Sequence, residues 1–185
     1  MQKRAFYILR ASIASASLAA MSVVFGKYLA IGVGEYLRFS FENLPILFAG
    51  MAFGPLFGAL VGAVADLVGC MLVGYTINPI ITIGAAAIGL ISGIYRFLPK
   101  RQGGVLRFLM LLAAVFIPHA IGSVIIKTVG LSAFYSIPLS LLMLWRLLNY
   151  LIVGTLEFLI LYYLFTSKTI LREINRIYPR LEKSK

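Results

Sequence analysis

The sequence predicts an all-α, polytopic membrane protein, a six-transmembrane-helix bundle with both the N- and C-termini cytoplasmic. Of its 185 residues 61% are hydrophobic and 12% charged, a balance that no soluble domain of this size hides in one core. The apolar runs suffice for roughly six spans of about 20 residues and leave room for little else. Positive charge is also segregated. Thirteen of the seventeen Lys and Arg residues lie at the N-terminus (Lys3, Arg4, Arg10), between Arg96 and Arg107, or in the tail from Lys168 to Lys185. The positive-inside rule assigns these three places to the cytoplasm. It accounts for the net charge of +11 better than nucleic-acid binding does.

The first span covers about residues 5–26. It could pass for a signal peptide after Gln2, Lys3 and Arg4, but it is long and other spans follow, so it reads as a retained helix. Residues 27–41, with Glu35, Tyr36 and Arg38, are too polar to continue it and form an outer loop. Helix two runs over about 44–54, short for a span, and helix three over about 57–74, joined by a tight turn at Gly54 and Pro55. An outer loop at 75–79, helix four at about 80–98 and a basic inner loop at 99–104 follow. Helix five covers about 105–127, a short outer connection contains Gly130 and Pro138, and helix six ends near Phe165. Residues 1–185 thus form a single membrane domain. The basic cytoplasmic tail, 167–185, alternates basic residues with Ile170, Leu171, Ile174, Ile177 and Leu181, which fits an interfacial helix continuing from the last span. A disordered tail is the alternative. The one cysteine, Cys70, permits no disulfide within the chain and no cysteine metal cluster, and its expected role is packing.

Two sets of small residues stand out, because close backbone approach rather than hydrophobicity drives helix association in lipid. Helix one carries Ala11, Ser15 and Ala19 on one row and Ser12, Ala16 and Ala20 on the next. Gly50, Gly54, Gly58 and Gly62 repeat at the same spacing in helices two and three, where internal packing is the expected use.

Ionisable groups within spans are functional candidates by default. Asp66, His119 and Arg146 each fall eight residues from the outer end of a different helix, about 12 Å deep. Asn149 shares a face with Arg146, one turn deeper. Glu157 lies two turns further in, away from that level. Asp66 and Arg146 either meet a ligand or neutralise each other, and His119 is either an interior hydrogen-bonded histidine or a ligand contact. With one histidine, no Ser–His–Asp set and no glycine-rich phosphate loop, no catalytic residues and no metal site are expected.

The stretch from Arg38 to Gly69, RFSFENLPILFAGMAFGPLFGALVGAVADLVG, resembles the substrate-binding (S) component of energy-coupling factor transporters. The resemblance rests on Leu44–Pro45, Gly50, the Phe53–Gly54–Pro55 turn, Gly58, Gly62 and Asp66, then Pro79–Ile83 and Gly89–Gly93. Among the branches it is most similar to the folate-specific one, although no Pro-Gly-Phe lies between Gly74 and Thr82. The resemblance implies a multi-pass protein of a bacterial cell membrane that binds a vitamin, folate first, as transported substrate with no cofactor. It also implies two cytoplasmic ATP-binding subunits and a transmembrane coupling subunit, which would dock on Ser12, Ala16 and Ala20.

Folate is a flat pterin joined to a benzoyl-glutamate, so it calls for stacking surface, ring-edge partners and positive charge. Arg38, Phe41, Asp66, Tyr75, His119, Lys127, Arg146 and Asn149 are the expected binding residues. Phe39, Phe134, Tyr135 and Trp145 add aromatic surface that also suits an interfacial belt. The alternatives are an S component for another vitamin or nucleobase-like compound (riboflavin, thiamin, pantothenate, a queuosine precursor), a stand-alone transporter, or a membrane-embedded enzyme or scaffold. The halves show no inverted repeat that would favour a stand-alone transporter.

Overall fold

The computed structural model describes residues 2–33, 37–98, 104–136 and 138–179. Helix α1 (Gln2–Val23) continues through one π-helical turn, Val24–Tyr28. Two short strands, β1 (Ile31–Val33) and β2 (Leu37–Phe39), pair antiparallel with Gly32 opposite Arg38. Then come α2 (Asn43–Phe53), α3 (Pro55–Val73) and α4 (Pro79–Ser92), the last tightening into a 3-10 turn at Gly93–Phe97. Helix α5 (Gly104–Pro118) passes through a π-helical stretch, His119–Ile126, into α6 (Lys127–Tyr135). Helices α7 (Leu139–Thr166) and α8 (Lys168–Ile177) complete the order.

Among the described residues, five continuous helical segments are long and apolar enough to cross a membrane, and α2 is a shorter apolar helix. Their outer surfaces are apolar too: Leu144, Leu147, Leu151 and Ile152 of α7 are all exposed, a surface suited to lipid and not to water. The protein is therefore a multi-pass membrane bundle.

Three expectations need correction. The outer loop at 27–41 is not irregular but holds a short β-hairpin, set on a bundle that is itself all α-helical as expected. The fifth helix does not end at Lys127 but runs on to Tyr135, with Gly130 inside it. Pro118 explains the irregularity: a proline removes a backbone donor, and the helix widens into π-geometry over the next two turns. Finally, α8 does not continue α7. Ser167 is extended (φ −67°, ψ 121°) and breaks the helix. Helix α8 turns its apolar face inward, with Ile174 buried and Ile170, Leu171 and Ile177 packed on the core. Of the expected basic inner loop at 99–104, residues 99–103 lie outside the described residues and Gly104 begins α5, and the tail beyond Pro179 also lies outside them.

The glycine row packs internally. Gly54, at φ 108° and ψ 174°, adopts a backbone shape that side-chain-bearing residues avoid, which lets α2 fold back into α3. A methyl group on Gly58 would strike the Gly89 carbonyl, and one on Gly62 the Ala85 carbonyl. Helices α3 and α4 therefore touch backbone to backbone.

Both described chain ends sit at the same end of the bundle. Arg10 of α1 donates to the Arg176 carbonyl of α8 at 3.3 Å. Buried Arg96 donates to the carbonyls of Ala52, Tyr178 (2.9 Å) and Pro179 (3.2 Å), and its guanidinium lies 4.6 Å from the Tyr178 ring centroid. Helix α2, about 16 Å long, runs from the opposite, hairpin-bearing end to this one.

Candidate functional site

Charged side chains converge at the hairpin-bearing end. A small cleft there, partly open to solvent, is lined by Ser22, Gly26 and Lys27 from the end of α1, Glu42 and Ile46 from the start of α2, Gly62 and Asp66 from α3, Ala85 from α4, and Lys127. Local sequence shapes it. Asn78 caps α4 by accepting from the Ile80 amide at 3.0 Å and donates to the Gly130 carbonyl at 2.9 Å, so the starts of α4 and α6 are pinned together. One turn into α4, Thr82 donates to Asp66 at 2.7 Å and holds that carboxylate at the wall.

Three glycines give the charged side chains their room. A Cβ at Gly69 would lie 2.7 Å from Cε of Lys27, one at Gly84 2.7 Å from Cγ of Lys127, and one at Gly26 2.8 Å from Oε2 of Glu42. Lys127 is 4% exposed and meets Glu42 at 2.9 Å. A cation so enclosed needs a counter-charge, and Glu42 provides it. Burial pushes the Glu42 carboxyl up, but the charge and hydrogen bond of Lys127, with the charges of Lys27 and Arg146, outweigh it and hold the group at about 2 against its ordinary 4.5. Glu42 is thus an anion at any physiological pH, with three cations around it.

The cleft brings together Asp66 and Lys127 of the eight residues expected from sequence. Arg146 lies to one side, donating to the Ser123 carbonyl at 3.0 Å while its charge reaches Glu42. No ion pair joins Asp66 to Arg146 among the described residues, because each has the other partner just named. Tyr75 is exposed at the rim, its ring centroid 5.4 Å from the Lys27 ammonium. Phe41 and Asn149 are half-buried. Arg38 pairs by its backbone within the hairpin, and its side chain lies outside the described residues. His119 is outside the cleft lining. It sits inside the bundle, 2.6 Å from Glu157 and stacked at 4.9 Å on Tyr150. The separation of Glu157 from the level of His119 inferred by counting residues is therefore corrected: the two side chains touch.

Sequence reasoning missed Glu42 and passed over Lys27. Glu42 stands between an aromatic residue, Phe41, and a polar one, Asn43, at a loop-to-helix junction, where hydropathy sees an ordinary N-terminal acid. The available signal was arithmetic: four cations on the outer half, Lys27, Arg38, Lys127 and Arg146, called for an anion among them.

Fold and site together define a polytopic membrane protein with a small charged cleft opening at the hairpin-bearing end, the architecture of a solute-capturing subunit. Residues 10–168 match the family model of the ECF transporter, substrate-specific component, and the chain belongs to that family. It accordingly works in the membrane with an ECF module. No curated protein sequence matches the chain. Among solved structures, a crystal structure of FolT bound with folic acid is similar with a TM-score of 0.65 and 28% identity, over 81% of this chain and 89% of that one.

Proposed function

We propose that this chain is the folate-binding subunit of an ECF-type importer, capturing folate in the cleft between α1, α2, α3 and α6. The observation that carries the reading is the likeness to the folic-acid-bound FolT structure over most of both chains. The chemistry of the cleft supports it. Lys27, Lys127 and Arg146 suit a ligand with two carboxylates, and Asp66 suits the amino and imino donors of a pterin edge. Tyr75 and Phe41 offer stacking surface at the mouth. Arg38 and Asn149 complete the proposed set, Arg38 as a long-range attractor, while His119 stands outside the ligand contacts and only steadies the π-helical segment it shares with Ser123.

The chain crosses the membrane six times, with α2 as a short span, and both ends face the cytoplasm. Support comes from the shared end at which α1 begins and α8 packs, where Arg10, Arg96 and Arg107 also lie. The transmembrane coupling subunit docks on Ser12, Ala16 and Ala20. All three are exposed, while the neighbouring row of Ala11, Ser15 and Ala19 is buried. Two ATP-binding subunits drive transport from the cytoplasm. Residues 167–185 serve as the basic tail on that side.

Calorimetry on purified protein tests the substrate. Folate is expected to bind one to one without nucleotide. Heat with riboflavin or thiamin and none with folate would reassign the vitamin.

A further inference from the structure

The cleft contains an anion of its own, held by the cations that an anionic substrate would need. We propose that Glu42 is a resident counter-ion: its carboxylate occupies the place of a substrate carboxylate against Lys127, and ligand binding exchanges one for the other. This deepens the reading of the cleft as a site for an anionic vitamin and rests on it.

The two partners differ in freedom. Lys127 is fixed, since it stands inside the continuous α5–α6 segment and its stem lies across Gly84, against which a Cβ would be 2.7 Å away. Its side chain is 5% exposed, so the ammonium has little access to water where it stands. Glu42 stands at the junction between β2 and α2, and its side chain is 28% exposed. Its backbone is tethered separately, because the Ser22 hydroxyl donates to the Glu42 carbonyl at 2.6 Å. The carboxylate can therefore rotate away from Lys127 toward solvent while the chain stays in place.

The charge balance favours exchange over simple structural pairing. Lys27, Lys127 and Arg146 act on Glu42, while Asp66 is occupied by Thr82. Two carboxylates, Glu42 and Asp66, stand among these three cations, which leaves the region net positive by one formal charge, so a further anionic group is attracted. Without Glu42, the buried Lys127 would keep only the more distant charge of Asp66 to offset its own, with no direct ion-pair partner. The resident carboxylate therefore keeps the empty subunit folded, and it competes with ligand.

The test compares the full-length wild type, Glu42→Gln and Glu42→Asp in detergent. Folate is titrated by calorimetry, and glutarate, a simple dicarboxylate, by thermal shift. Without the competing carboxylate, apparent folate affinity in Glu42→Gln rises about tenfold, the factor expected if the cation is open in about a tenth of wild-type molecules. Glutarate moves in the same direction. If Glu42→Gln fails to fold, Glu42→Asp carries the test, because its shorter carboxylate competes less well and also binds folate more tightly. Unchanged or weaker binding of both probes in the folded variant would overturn exchange and leave Glu42 as a structural pin. Tighter glutarate binding by the variant, with folate bound by neither protein, would uphold exchange and reject the vitamin instead.

Discussion

His119 and Glu157 meet at 2.6 Å in the middle of the bundle, with side chains 2% and 0% exposed. Helices α5 and α7 are joined there by a polar contact that neither lipid nor water can replace. Removing one member strands the other. Glu157→Ala is expected to destabilise the folded protein by about 3 kcal/mol, read as a lower unfolding temperature in detergent. Folate affinity of the folded fraction is expected to change little, because neither residue lines the cleft. A large loss of affinity with unchanged melting would make the pair part of the binding site.

Helix α1 presents its two small-residue rows differently. Ala16→Trp and Ala20→Trp add bulk to the exposed row and are expected to abolish uptake in cells while the isolated chain still binds folate. Ala11→Trp forces the same bulk into a fully buried position and is expected to prevent folding. Uptake assays beside size-exclusion profiles separate the two. Normal uptake by Ala16→Trp would move the docking surface elsewhere.

Arg146 spans from α7 to the Ser123 carbonyl and extends its field to Glu42. Arg146→Ala is expected to weaken folate binding by about 2 kcal/mol, the loss of one charge-assisted hydrogen bond. Arg38→Ala, on the hairpin, is expected to cost less and to depend more on salt, as a long-range attraction does. Calorimetry at two ionic strengths measures both. Unchanged affinity in a well-folded Arg146→Ala would reduce the arginine to a brace between α5 and α7.

The depressed acidity of Glu42 sets a pH window. Its ionised form is favoured in the folded protein, so its contribution to stability is fully present above the ordinary value of 4.5 and is lost as pH falls toward about 2. The stability difference between wild type and Glu42→Gln is expected to be constant above about pH 5 and to narrow below it. Melting curves across that range follow it. A difference that widens on acidification would mean that the neutral acid is the form the fold prefers.

Much of this architecture is a property of single segments, and the sequence determined it. Apolar length gave the membrane class, and punctuation at Gly54–Pro55 and Gly74 marked where α2 and α3 stop. The clustering of Arg and Lys pointed to one end of the bundle, where Arg10, Arg96 and Arg107 are all found holding other segments. Four-residue glycine spacing foretold close helix contact. The strands escaped notice because three residues are too few to display alternation. The run of helix past Lys127 escaped because Gly130 resembles a terminator until Asn78 is seen bound to its carbonyl.

What only the tertiary structure decided is which side chains meet. Counting residues along each helix gives depth, but contact also requires the rotation of every helix about its axis and the offset between neighbours. Those are set by packing across the whole bundle. Glu42 and Lys127 are 85 residues apart, and His119 and Glu157 38 apart. No periodicity reaches across such distances, so the resident carboxylate of the cleft and the buried pair beneath it became visible only when α2, α5, α6 and α7 were brought together. Hydropathy is carried by each residue alone, whereas an ion pair in lipid exists only through the geometry that excludes water from both partners.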